Sequence, residues 1–435
     1  MKSETSHRPR LRQRLGICAG LALATLAFPL PSSKAEEPLI QLKDNDVWVM
    51  AGDSITAQRL HTNFIEAYYR TRYPQLHLHF RNSGIGGNQT GHILKRFDYD
   101  VAAWKPTIVS IELGMNDVNG SVETYLKGMK ELIAKIRAIN AQPLLISSSP
   151  VDDGSIMDDW RSDRCKKLNA FTNALKTLAQ EEHVPIVDQY HFLIDLWGQN
   201  RRKGAEKFAA SGQQPPPPAP AAPGKPAKPF IAPGLIPLTG DTVHPGAVGQ
   251  YTMASTILKG LHVSGEVGSA TIQADGKVVD ATHCKISDVT AKDGKLSFTR
   301  LDEASPWPIL PAAKTAFQLL PSGLELSQYM LKVSGLADGT YHVSINGKLA
   351  ATVSAQDLAA GWNITTAFDG PLGERSTKIL SLITKLENPL NMAWRNASKD
   401  KNEAKLAAAQ KDIEATETEI QAAVQPEALK FEISR

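Results

Sequence analysis

Residues 45–260 predict an α/β fold in which a parallel five-stranded sheet is covered by helices on both faces. Two observations carry this reading. Five short apolar segments rich in β-branched residues recur along the stretch, and apolar stripes at helical spacing fall between them. The strands are expected at 47–51, 76–80, 107–113, 143–147 and 185–187. The stripes are Phe64, Ala67 and Tyr68; then Tyr125, Met129, Leu132, Ile133 and Ile136; then Leu168, Phe171, Leu175 and Leu178. They read as the core-facing sides of helices. A last helix is expected at 247–259.

At 435 residues the chain exceeds what one hydrophobic core usually serves, so appended units are expected. Residues 1–35 place Arg8, Arg10, Arg12 and Arg14 before an apolar run that ends in Ser33-Lys34-Ala35, the layout of a cleavable export signal. A periplasmic or secreted location follows as an expectation. Residues 36–262 form the expected α/β domain, interrupted at 213–237 by an insertion that includes Pro215-Pro216-Pro217-Pro218. Its prolines lack backbone donors and its large apolar side chains are few, so it reads as an extended linker. Residues 265–370 form a β-rich unit in which Asn346-Gly347 signals a hairpin turn. Residues 371–435 read as a helical hairpin with helices near 376–396 and 399–424, the second striped by Leu406, Ile413 and Ile420.

Composition excludes several classes of function. The first 35 residues carry six basic residues against one acidic, and without them the formal charge moves from +3 to −2. That balance has no electrostatic footprint for nucleic acid, and no integral membrane association is expected. Cys165 and Cys284 read either as a pair in an oxidising compartment or as two buried thiols. Two cysteines cannot build a metal site, and His77 and His79 read as exposed residues on one strand face. No metal or cofactor is expected.

Chemistry concentrates in four short segments. Gly52-Asp53-Ser54-Ile55-Thr56 follows the first strand and precedes a helix, which puts Ser54 at the carboxyl edge of the sheet. Asn82-Ser83-Gly84-Ile85-Gly86-Gly87-Asn88 follows the second strand, and its glycines let backbone N–H groups approach a reacting oxyanion. Gly114-Met115-Asn116-Asp117 ends the third strand and offers the Asn116 amide to that same oxygen. Asp241-Thr242-Val243-His244-Pro245 spaces a carboxylate and an imidazole so that Nδ1–H meets the carboxylate and Nε2 accepts the serine proton.

In this order the four segments resemble the blocks of the SGNH hydrolase superfamily, also called GDSL esterases, over residues 45–260. The resemblance implies a flavodoxin-like three-layer α/β/α sandwich with a five-stranded parallel sheet. It implies a catalytic triad of Ser54, Asp241 and His244, and an oxyanion hole formed by the Ser54 N–H, the Gly87 N–H and the Asn116 amide. Asn88-Gln89 stands where the family frequently has Asp-Thr, and Gly84, Gly86 and Gly87 compete for the donor role. The expected function is ester hydrolysis through an acyl-enzyme, on O-acetylated saccharides or similar small esters. The alternatives are a lipase or phospholipase, and a glycan-binding protein that retains the fold without turnover.

Overall fold

The computed structural model describes residues 37–152, 163–214 and 235–435; the expected export signal and most of the proline-rich insertion lie outside them. The parallel sheet comprises β1 (Val47–Gly52), β2 (His79–Gly84), β3 (Ile108–Glu112), β4 (Gln142–Ile146) and β5 (Ile186–Val187), in the order β2-β1-β3-β4-β5. Parallel neighbours need crossover connections, which here are helices: α1 (Ser54–Ala57) and α2 (His61–Arg72), then α3 (Thr90–Asp100), α4 (Val122–Ala138) and α5 (Asp163–Glu181); α6 (Gln189–Ala210) and α7 (Ala247–Gly260) follow β5. The central β3 is buried along its whole length, as a sheet covered on both faces requires. The expected α/β/α sandwich is therefore the observed one.

Local chemistry accounts for these elements. Helix α4 starts where the Ser121 side chain accepts the Thr124 N–H, and it buries Tyr125, Met129, Leu132, Ile133 and Ile136 on one stripe. Basic Lys135 and Arg137 in its last turn oppose the helix dipole. Strand β2 runs later than the sequence places it, because Arg81, Asn82 and Ser83 are polar yet buried. Helix α6 was not anticipated. Buried Asn200 and Arg201 interrupt its apolar stripe. His77 is exposed and meets Asp44, but His79 is half-buried against Glu417, which corrects its reading as a freely exposed residue. No disulfide joins Cys165 to Cys284.

The C-terminal part comprises β6 (Glu266–Gln273), β7 (Val278–Thr282), β8 (Cys284–Lys292), β9 (Lys295–Asp302), α8 (Ala316–Leu319), β10 (Gln328–Ser334), β11 (Thr340–Ile345), β12 (Lys348–Ser354), α9 (Ala355–Ala360) and β13 (Trp362–Asn363). Asn346 and Gly347 join β11 to β12 with φ of 51° and 78°, the positive values that a two-residue type I′ turn needs. Helix α10 (Pro371–Lys385) then passes through a π-helical turn, Leu386–Leu390, into α11 (Asn391–Lys399), which is followed by α12 (Glu403–Val424). Pro389 lies in that turn and removes a backbone donor.

The segment read as ending in a helical hairpin ends instead in a strand, β14 (Leu429–Ser434). Leu429, Phe431 and Ile433 are buried in alternation with Lys430, Glu432 and Ser434, the period of a half-buried strand. β14 lies inside the sheet β12-β11-β14-β9-β8, and a second sheet runs β13-β10-β6-β7. Phe431 stacks on Phe298 of β9 with ring centroids 5.2 Å apart. The parallel-sheet and C-terminal parts share one core: Trp307, Ile379, Ile383, Ile413 and Ile420 pack in the same apolar cluster as the parallel sheet. Residues 38–435 accordingly form one compact body. Among the described residues no helix is long and apolar enough to cross a membrane.

Candidate active site

Ser54 is the first residue of α1, directly beyond β1. Gly52 permits the sharp passage between them: a Cβ there would lie 1.9 Å from Thr56 Oγ1 and 2.9 Å from the Glu112 carbonyl. Asp53 caps the helix, its Oδ1 accepting the Ile55 N–H at 2.9 Å. The loop before α7 brings in the other two side chains. His244 Nε2 lies 2.9 Å from Ser54 Oγ, and His244 Nδ1 lies 2.9 Å from Asp241 Oδ2. With a carboxylate on the Nδ1 side, that nitrogen carries the proton and Nε2 accepts from the serine hydroxyl.

Asp241 is positioned by its own loop. Its Oδ1 accepts the N–H groups of Val243 and His244 at 2.8 and 2.7 Å. Burial alone would raise its pKa, but these N–H donors and the imidazole outweigh that effect and hold the carboxyl below its ordinary range. The loop is closed by the Gly240 N–H to His244 carbonyl bond at 2.8 Å, and Gln58 Nε2 donates to the Pro245 carbonyl at 3.2 Å. The sequence-predicted triad residues thus converge at the carboxyl edge of the sheet.

The three competing glycines differ sharply. The Gly84 N–H already donates to Asn82 Oδ1 at 2.9 Å, and a Cβ on Gly84 would lie 2.4 Å from the Ala57 nitrogen. Gly84 is therefore a packing glycine. Gly86 faces the nucleophile, since its added Cβ would meet Ser54 Cβ at 3.9 Å, and Gly87 has φ of +74°. Among the described residues the N–H groups of Gly86 and Gly87 have no hydrogen-bond partner, nor has that of Ser54. Asn116 reaches the same edge: its Nδ2 donates to the Asn88 carbonyl at 3.1 Å and makes a long contact of 3.4 Å to Asp53 Oδ2.

Several buried polar residues near the site were not anticipated. Burial raises Asp53 from 3.8 to about 7, and the charges of Glu112 and Asp117 add to that effect. His61 Nε2 lies 2.9 Å from Glu112 Oε2, while its Nδ1 meets Gln250 Oε1 at 2.6 Å. Burial opposes the imidazolium of His61, but Glu112 and Gln250 raise it above the ordinary histidine value. Arg96 Nε donates to Asn88 Oδ1 at 2.9 Å, which fixes the glycine loop from behind. The only sequence signal for Arg96 was Asp100 four positions later on the same helix. Among the described residues no three His, Cys, Asp or Glu side chains gather as a metal site.

Residues 50–250 match the profile of the GDSL-like lipase/acylhydrolase family. An acetylxylan esterase of Geobacillus stearothermophilus is 25% identical over 123 residues, which cover 27% of this chain and 56% of that relative. The matched stretch thus spans little more than half the length of that relative. The fold is similar to that of a gut microbial diltiazem-metabolizing enzyme, with a TM-score of 0.73 and 19% identity over 91% of this chain and 98% of that one. The solved acetylxylan esterase from Geobacillus stearothermophilus aligns with a TM-score of 0.38 and 18% identity, over 52% of this chain and 98% of its own. By its family match and its sheet, the stretch 50–250 of this chain is a GDSL-like lipase/acylhydrolase domain of the SGNH/GDSL type.

Proposed function

We propose that this chain is an exported serine esterase that removes acetyl groups from O-acetylated saccharides or similar small esters. The observation that carries the reading is the continuous line from Asp241 through His244 to Ser54, with both hydrogen bonds at 2.9 Å. His244 takes the Ser54 proton as the oxygen attacks the ester carbonyl. The Ser54 N–H, the Gly87 N–H and the Asn116 amide hold the oxyanion, with the neighbouring Gly86 N–H as the alternative donor. His244 then protonates the leaving alcohol, and water activated by the same imidazole releases the acid from the acyl-enzyme. Asp241 stays ionised throughout and holds the ring in one tautomer.

The acetylxylan esterase relative supports an acetylated saccharide as the substrate class, and the layout of residues 1–35 supports export. A fluorophosphonate probe tests the nucleophile: labelling is expected at Ser54, and folded protein that stays unlabelled favours a binding role. Acyl preference tests the substrate class with 4-nitrophenyl esters. Acetate is expected to exceed octanoate by at least about tenfold in kcat/KM, which needs only about 1.4 kcal/mol of discrimination. Equal or better turnover of octanoate would point to a lipase, in which each added methylene gains affinity until the groove is full.

A further inference from the structure

We propose that Arg395, carried by the appended helix α11, is a positioning residue for the oxyanion hole, acting through Asp100, Arg96 and Asn88 on the Asn116 amide. This rests on the serine-esterase reading above. The argument begins at the sheet edge. β2 is an outer strand, so every second residue turns its backbone N–H and carbonyl away from the sheet. At Asn82 both groups are taken by the C-terminal helices: Glu387 Oε2 accepts the N–H at 2.6 Å and Arg395 Nη2 donates to the carbonyl at 2.8 Å. Two side chains thus stand in for a sixth strand, immediately before the glycine loop. Trp394 anchors the same helix by stacking on Trp104, with ring centroids 3.4 Å apart.

Arg395 makes a second contact that leads into the site. Its Nε donates to Asp100 Oδ1 at 2.5 Å. The other carboxylate oxygen of Asp100 accepts from Arg96 and from the Ser83 hydroxyl. Arg96 in turn donates to the Ser83 carbonyl at 2.7 Å and to Asn88 Oδ1 at 2.9 Å. The Asn88 carbonyl then accepts one hydrogen of the Asn116 amide at 3.1 Å. The other amide hydrogen has only the 3.4 Å contact to Asp53, so it is the one released to a developing oxyanion. Asp100, Arg96, Ser83 and Asn88 are all buried. A buried chain of alternating charge is sensitive at every link, because removing one member leaves its neighbour desolvated and unpaired.

The experiment is a double-mutant cycle on the full chain, assayed with 4-nitrophenyl acetate. Arg395→Met is expected to lower kcat about ten- to thirtyfold with KM nearly unchanged, because the donor it positions matters most in the transition state. In an Asn116→Ala background the same substitution is expected to cost less than about twofold, since its target is gone. Trp394→Leu loosens the same interface outside the chain of contacts; it should lower Tm yet leave kcat within about twofold. Equal losses from Arg395→Met in both backgrounds, or an equal loss from Trp394→Leu, would overturn the proposal. Should Arg395→Met fail to fold, Arg395→Lys carries the same cycle: one ammonium beside Asp100 cannot also grip Asn82, and a smaller loss confined to the Asn116 background is expected. Absence of Ser54-dependent hydrolysis in the unsubstituted protein would instead sink the esterase reading, and this proposal with it.

Discussion

His244 Nε2 lies 2.9 Å from Ser54 Oγ although 190 positions of chain separate the two residues. That contact forms because β1 delivers Ser54, and the loop before α7 delivers His244, to one edge of the sheet. Ser54→Ala and His244→Ala are each expected to reduce ester hydrolysis by about 10³ or more while leaving thermal unfolding almost unchanged. Steady-state kinetics with a parallel melting curve checks this. Half-maximal activity in either variant would remove that residue from the mechanism.

Asn116→Ala is expected to cost roughly 10²–10³ in kcat with a smaller change in KM, because its donor is needed most when charge develops on the carbonyl oxygen. An effect confined to KM would make Asn116 a substrate-binding residue only. Gln89 Nε2 donates to the Asn116 carbonyl at 2.9 Å, so the backbone should stay in place when the amide is removed.

Asp53 gives a pH signature of its own. Burial lifts its carboxyl from 3.8 to about 7, so between those values the folded protein holds a proton that the unfolded chain releases. Its contribution to stability is full in acid and is lost as pH rises towards 7. Asp53→Asn removes that dependence, and the Tm of the variant relative to the native protein should therefore climb between pH 4.5 and 7.5. The full span corresponds to at most roughly 4 kcal/mol. Melting curves of the two proteins that run parallel across this range would show that Asp53 does not titrate there.

Trp307 ties the C-terminal part to the catalytic core. Its Nε1 donates to the Phe64 carbonyl at 2.8 Å, and its ring stacks on Tyr251 with centroids 4.8 Å apart. Trp307→Ala is expected to cost about 3–5 kcal/mol in denaturant unfolding. Ending the chain before residue 265 should abolish hydrolysis of small esters and of acetylated polysaccharide alike, because the truncation strips one side from the shared core. Cooperative unfolding of that shortened chain, with undiminished turnover of a small ester, would show the two parts to be independent.

The sequence by itself determined the parallel sheet, the order of its strands along the chain, the three segments at strand ends and the Asp241–His244 segment before the last helix of that stretch. These are local signals: an apolar strand, a helical stripe, a glycine or a capping side chain acts within a few residues of itself. It misplaced β2 because Arg81, Asn82 and Ser83 are polar, and their partners come from positions as distant as Arg395 and Glu417. It missed β14 for a related reason: a short alternating segment after a long helix becomes a strand only when β9 and β11 are there to pair with it. Which glycine keeps a free N–H was likewise decided by the tertiary structure, through the Asn82 side chain that occupies Gly84. The burial that lifts Asp53 and the packing of the C-terminal helices against β2 and α3 are contacts across tens or hundreds of residues. Their energy exists only once the chain has closed those distances, so no window of the sequence contains it.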